Sequence, residues 1–326
     1  PTVIANELVG VQPMTGPVGQ IHTLRVRYSD TMNDTSAGNT DTTAGEEALS
    51  PFKIAEAYSG DAATAKAAST AALEGAAGRK MSIQILKQTV EAKTRKLSAR
   101  WTFEAAQDAQ SMHGIDVEAE IMAALAQEIT AEIDQEVLGS LRTLGGTAVE
   151  TYNQAAVSGT ATFVGDEHAA LAVQINRASN LIAQRTRRGA GNWAVVSPFA
   201  LTILQSATTS AFARTTEGSF EAPTNTKFVG TLNNAMKVYV DTYAADSTDV
   251  MIGYKGSSES DAAAFYCPYI PLMSSGVVLD PATFEPTVSF MTRYGYIELS
   301  NTASSLGNAA DYLANVAITN GNVSFS

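Results

Sequence analysis

Between Asp116 and Gly139 an apolar residue returns at every fourth position: Ile121, Leu125, Ile129, Ile133 and Val137. A strand cannot use that period, whereas an α-helix turns it into one stripe. Asp116 supplies a side-chain acceptor for the first free N–H groups. Glu118 and Glu120 place negative charge in the first turn, and Gly139 offers a stop. The spacing predicts a helix over 116–138, a rod of about 35 Å at ~1.5 Å per residue. A strict four-residue repeat drifts around the axis, so the stripe should touch several elements in turn. A shorter helical run precedes it, from Phe103 to Met112, closed by Gly114.

Upstream the pattern changes. Residues 1–20 scatter Gly10, Pro13, Gly16, Pro17 and Gly19 among isolated apolar residues, which breaks helix and long strand alike and predicts an extended arm. From Ile21 to Tyr28 the chain alternates, with His22, Leu24, Val26 and Tyr28 opposite Ile21, Thr23, Arg25 and Arg27, as a strand with one apolar face does. Residues 29–80 are rich in Thr, Asp, Asn and Gly, then in alanine (nine in the eighteen residues from Asp61 to Gly78), and predict a surface excursion with little to dock. Ile83 to Phe103 lacks Gly and Pro and carries charge on both faces. A strand buried in its own domain does not. The expectation is a hairpin arm that pairs Ile21–Tyr28 with part of this stretch.

Downstream, helical patterns at His168–Arg185 and Pro198–Gln205 alternate with short apolar strands at Trp193–Val196, Lys237–Val240, Val250–Ile252 and Ala262–Tyr266. Gly145-Gly146 and Gly159 mark loops. This block, about 150–285, predicts an α+β lobe, and the strand-like Thr287–Glu298 should return to the long helix.

Charge is unevenly spread. From Arg79 to Arg100 lie seven bases, Lys87, Lys93, Arg95, Lys96 and Arg100 among them, against one acid. From Trp101 to Leu141 lie nine acids, including Asp116, Glu118, Glu120, Glu128 and Glu132, and no Lys or Arg. Two solvated faces of opposite sign would account for this. The sharper expectation is that the basic arm of one subunit lies across the acidic helix of its neighbour, fixing register. The overall charge of −12 argues against a large nucleic-acid-binding face.

Chemistry is hard to find. His22, His113 and His168 lie in separate elements without ligand spacing, so no metal or other cofactor is expected. The lone Cys267 sits in an aromatic run and reads as a buried thiol. No stretch is long and apolar enough for a membrane helix, and no signal peptide is expected. The Asn322-Val323-Ser324 sequon reads as a chance match. The turn Arg185-Thr186-Arg187-Arg188-Gly189-Ala190-Gly191-Asn192 could cradle an anion, but arginines and glycines are also what a helix C-terminus takes. Arg185, Arg187 and Arg188 are therefore candidate intersubunit contacts beside Lys87, Lys93, Arg95, Lys96, Arg100 and the acids above. The rival of a different class is an α+β enzyme acting at this turn.

Several blocks then fall together. Lys87-Gln88-Thr89-Val90-Glu91-Ala92-Lys93-Thr94-Arg95-Lys96-Leu97, His113-Gly114-Ile115-Asp116, Val238-Tyr239-Val240-Asp241, Gly253-Tyr254-Lys255-Gly256 and Thr292-Arg293-Tyr294-Gly295 resemble, in this order, the major capsid proteins of T-even-type tailed phages. The resemblance implies a Hong Kong 97-type phage capsid fold of α+β class. It implies an N-terminal arm at 1–20, an extended loop at 21–103 with a reduced insertion at 29–80, a peripheral domain at 104–149 and 286–326 holding the spine helix 116–138, and an axial domain at 150–285. It also implies a non-enzymatic subunit that self-assembles into an icosahedral or prolate head around DNA without binding it specifically. Hexamers, possibly pentamers, a vertex protein, a scaffold, a prohead protease that trims near the N-terminus, and a possible decoration protein come with it. A vertex paralogue and an encapsulin-like compartment subunit are alternatives of the same fold.

Overall fold

The computed structural model describes residues 4–33, 35, 41–48, 55, 57–157, 164–206, 212–214, 227–232, 235–244, 250–299 and 309–319. The loop expected at Gly159 and the sequon at 322–324 lie outside these residues. In chain order the elements begin with α1 Ala5–Leu8, β1 Gly10–Val11, β2 Val18–Tyr28, α2 Thr70–Leu73, β3 Met81–Glu91, β4 Lys93–Arg100, α3 Phe103–His113 and α4 Val117–Gly145. They continue with β5 Glu150–Asn153, α5 Gln154–Val157, α6 Val164–Thr186, β6 Trp193–Val196, α7 Pro198–Ser206, β7 Phe212–Arg214, β8 Lys227–Leu232, β9 Met236–Val240 and β10 Val250–Gly253. The last are β11 Ala264–Ser274, β12 Val278–Leu279, β13 Pro286–Glu298 and β14 Leu313–Thr319, the last preceded by a 3-10 turn at Ala309–Tyr312.

The long helix starts where its cap predicts: Asp116 accepts from the N–H groups of Glu118 and Ala119. It does not stop at Gly139 but runs to Gly145. A glycine inside a helix costs about 1 kcal/mol, and here the buried Val137, Leu138 and Leu141 on either side of it outweigh that cost. Gly146, at φ +61°, ends the helix instead. The stripe does touch several elements, meeting β4, β13, β14 and the 3-10 turn.

Two sheets flank this helix. One has the order β5-β14-β10-β6-β9-β8-β7. It is apolar on both faces. Ala194, Val196, Val238, Val240, Val250 and Ile252 pack against Leu171, Ile175 and Ile182 of α6 and against α7. The alternate residues Trp193, Val195, Tyr239, Met251 and Leu313 face the opposite way, into a core shared with α4. Such double burial explains strands like Trp193–Val196 that show no alternation. The second sheet has the order β1-β11-β13-β12, with β4 also on β13; Val288, Phe290 and Tyr294 bring it to the same core. Gly295 is where the arm crosses β13: a Cβ there would press on Val90.

Several segments lie elsewhere than expected. Ala264–Ser274 sits in the second sheet, paired with β13 (Phe265 to Ile297, Cys267 to Gly295), and not in the central lobe. Leu313–Thr319 sits between β10 and β5 in the seven-stranded sheet while still touching the long helix. These two strands exchange sheets, and local pattern carries no trace of such a crossover. Lys93–Arg100 leaves the arm and pairs with β13, because Leu97 and Ala99 reach the central core. Residues 4–14 are not a free extended arm: Ile4, Ala5, Leu8 and Val9 are buried in that core. The excursion at 29–80 has a small core of its own, with Tyr28 against Tyr58 (centroids 4.5 Å apart), Met32, Ala48 and Ala57. The Arg79 guanidinium fastens it by donating to the carbonyls of Ala57, Tyr58 and Gly60.

Candidate intersubunit surfaces

The arm is an antiparallel pair over its full length, from Val18–Glu91 to Tyr28–Met81. Directly opposed residues share a face, so Leu24 with Ile85 and Val26 with Ile83 point the same way. That face is open: Leu24 is 67% exposed, Ile83 70% and Ile85 71%, with Lys87 exposed beside them. The opposite face carries Arg25 and Arg27, and both are buried. Arg25 reaches Glu47 of the excursion at 2.6 Å. Over this stretch the arm turns Arg25 and Arg27 inward and Leu24, Ile83 and Ile85 outward, although Ile21 and Val90 nearer its base are buried. Alternation in the sequence identified the two faces but not which one was covered; the signal lay in the paired arginines, which need a partner when buried.

The acidic stretch divides in two. Glu104, Asp108, Asp116, Glu118, Glu120 and Glu128 are exposed, and among the described residues no base pairs with them. Helix α3 has no buried residue at all, with Met112 77% and Phe103 37% exposed. Eleven residues with no buried face make a marginal helix, although Thr102 and Gly114 cap it.

The C-terminal half is already engaged within the chain. Arg95 donates to Glu132 (2.9 Å), Glu136 (2.8 Å) and the Tyr294 hydroxyl (2.7 Å), and Tyr294 donates to Glu136 in turn. Burial opposes charge on Arg95, but Glu136 and Tyr294 outweigh it and hold the guanidinium more firmly protonated than usual. Burial likewise opposes charge on Glu136, yet Arg95 and Tyr294 keep its carboxyl below the ordinary range. Arg95 and Glu132, both candidate intersubunit contacts, thus meet within this chain. Sequence reasoning missed Glu136 and Tyr294 as members of this clamp. Lys93 and Lys96 are exposed on the same edge strand, and Arg100 lies 3.5 Å from Glu285 while 72% exposed.

At the turn after α6, Arg188 pairs with Asp261 at 2.6 Å, and the Tyr254 hydroxyl donates to Asp261 at 3.3 Å. Arg187 is exposed at φ +51° and Arg185 is half-buried. The Asp261 contact makes this turn a seam between α6 and the loop after β10. Arg188, engaged with Asp261, is thereby taken from any anion cradle at this turn. Among the described residues, no cluster of three or more His, Cys, Asp or Glu side chains is arranged to hold a metal.

Comparison with known proteins agrees with this architecture. A family model described as major capsid protein Gp23 matches residues 1–321. The major capsid protein of Vibrio phage KVP40 is 29% identical over 97% of this chain and 78% of its own length. That of Enterobacteria phage T4 is 35% identical over 66% of this chain, but the chain spans only 44% of it. That of Salmonella phage ViI is 30% identical over 90% of this chain and 73% of its own. Among solved structures, a chain of Microbacterium phage Oxtober96 superposes with a TM-score of 0.56 at 11% identity, covering 97% of this chain and 91% of that one. A chain from the capsid of Myoviridae Phage XM1 gives 0.52 at 10%, covering 98% and 92%. At such identities the likeness shows fold alone, the α+β Hong Kong 97-type fold. Sequence match and fold converge: this chain belongs to the major capsid protein Gp23 family.

Proposed function

We propose that the chain builds a phage head shell by laying the open face of its β2–β3 arm on the acidic α3–α4 surface of the next copy. The observation that carries this reading is the outward Leu24, Ile83 and Ile85, 67–71% exposed and not covered by the described residues. An apolar patch flanked by Lys87 on one side of a subunit, and exposed acids with Phe103 and Met112 on the other, are complementary in both character and charge. Two different surfaces meeting head to tail close into rings when the rotation permits, and hexamers with pentamers are the expected rings. In this reading the five-stranded sheet with α3 and α4 is the peripheral domain, the seven-stranded sheet with α6 and α7 the axial domain, and residues 18–91 the extended loop. Lys93, Lys96, Arg100, Arg185 and Arg187 are rim contacts. The chain acts as a structural subunit with no catalytic role, assembled in the host bacterial cytoplasm with scaffold, protease, vertex and possible decoration proteins. Its net charge of −12 leaves enclosed DNA without a specific site.

The test is assembly. Changing Leu24, Ile83 and Ile85 together to Ser should yield soluble subunits with wild-type melting behaviour and no particles by electron microscopy. Normal shells from that variant would overturn the proposal. Lys87→Glu should slow assembly and weaken its dependence on ionic strength.

A further inference from the structure

Residues 4–14 form a strap across the junction of the molecule. Ile4, Ala5, Leu8 and Val9 pack among α4, Trp193, Tyr239 and Met251 of one sheet and Ala264 and Tyr266 of the other. Polar contacts fasten the strap along its length: Lys255 Nζ donates to the Asn6 carbonyl (2.8 Å), the Tyr239 hydroxyl to Glu7 (3.3 Å), and the Val11 N–H to Glu259 (2.8 Å). Gly10 and Val11 run parallel to Phe265 and Tyr266.

Its first fastening is unlike the others. The Ile4 N–H donates at 2.8 Å to Asp134 of α4, a carboxyl only 3% exposed. Among the described residues this is the one hydrogen bond that carboxyl receives. The Arg142 guanidinium, which could have neutralised it, is 2.7 Å from Asp241. Asp241 is itself fully buried and also accepts from Gln135 (2.9 Å) and the Tyr243 N–H (3.1 Å). Asp134 thus faces a second acid, the Tyr266 phenol and a backbone N–H, with Glu7 and Tyr239 close along the strap, and among the described residues no cation pairs with it. A buried carboxylate so placed is costly when charged.

We infer that Asp134 makes seating of the N-terminal strap proton-linked, so that residues 4–14 are held firmly while the carboxyl is protonated and are the first part of the core to let go when it ionises. Burial, opposed by the Ile4 N–H and assisted by the charge of Asp241, pushes its pKa from 3.8 up to about 6. An acid whose seated pKa is raised favours seating at low pH. That advantage fades as pH climbs through about 6 and stays lost above it. At neutral pH the subunit therefore carries a strap that spans both sheets and is poised to release. This goes beyond the arm contact and can be measured without it.

Hydrogen exchange on the whole chain provides the test. The Leu8, Val9 and Gln12 N–H groups bond to the carbonyls of Ile4, Ala5 and Tyr266, so their protection, corrected for intrinsic exchange at each pH, reports seating. Between pH 5 and pH 8 it should fall about tenfold, because pH 5 lies only about one unit below a seated pKa of about 6, while β6 amides hold theirs. Asp134→Asn should remove the difference and leave the strap at pH 8 as protected as in wild type at pH 5. Ile4→Pro suits the φ of −62° at that position and removes the backbone donor; the smaller buried side chain lowers protection at every pH, but losing the donor should move the midpoint to higher pH. Equal behaviour of strap and β6 amides in the wild type, or an unchanged profile in Asp134→Asn, would overturn the inference. If that variant does not fold, an unmoved midpoint in Ile4→Pro does so instead.

Discussion

The body and the arm use similar side chains to opposite ends. In the body, strands such as Trp193–Val196 are apolar on both faces and both faces are covered, by α6 and α7 on one side and by α4 with the strap on the other. In the arm, the aliphatic face is bare and the arginines are the covered ones. Full burial of one large aliphatic side chain contributes about 1.5–3 kcal/mol. Leu24, Ile83 and Ile85 therefore hold several kcal/mol that the lone subunit does not realise and that the proposed arm contact would release. The body is self-sufficient, whereas in the proposed assembly the arm's stabilisation comes from a second chain.

The sharpest way to break this contrast is to change one region and read both outcomes. The Leu24/Ile83/Ile85→Ser variant should lose assembly entirely while its thermal midpoint stays put. Leu138→Ala should do the reverse. Leu138 is completely buried in the central core, so the variant should lose about 2–5 kcal/mol in denaturant unfolding while its arm stays fully competent. If the arm variant melted earlier, or Leu138→Ala alone blocked assembly at temperatures where it is folded, the two regions would not be separable.

A smaller effect is expected where basic strand and acidic helix meet inside the chain. Arg95→Ala should cost on the order of 1–2 kcal/mol, below a fully buried pair because Arg95 is 30% exposed. It should also change the response to acid. Glu136 has a lowered pKa, so what it contributes is present above the ordinary carboxylate range and is lost as pH falls through its folded value. Asp134, two residues earlier on the same helix, responds with the opposite sign. Arg95→Ala should flatten stability at acid pH without touching the strap profile. Urea titrations at pH 4 and 7 would show whether the two carboxyls act independently.

Local signals were read well, and long-range pairing was not. The Asp116 cap, the Gly114 stop and the limits of Trp193–Val196 were legible because each is written in a few adjacent residues, and the pairing of Ile21–Tyr28 with the basic stretch because both strands carry an unusual face. The exchange of Ala264–Ser274 and Leu313–Thr319 between sheets was hidden, since a strand's pattern names its faces and not its neighbour. The same limit applies to Arg95, which pairs with Glu132 and Glu136 of its own chain. Charge counting recognised that basic and acidic stretches complement each other, but composition cannot say whether they meet within one chain or between two.

The smallest predicted effect isolates helix α4 from everything it touches. Asp116 accepts from the N–H groups of Glu118 at 3.1 Å and Ala119 at 3.5 Å. Asp116→Ala leaves those donors to water and removes a negative charge from the positive end of the helix. The site is exposed, so the body should lose only about 1 kcal/mol, read as a shift in denaturant midpoint with unchanged slope. If the neighbour's arm lies over this end, assembly should weaken more than that loss explains, because Asp116 is also one of the acids offered to Lys87. Asp116→Asn separates the two roles: it restores the cap and keeps the charge absent. Full recovery of stability with assembly still weakened would locate the arm's footprint at the helix start. Full recovery of both would confine Asp116 to capping and move the footprint toward Glu120 and Glu128.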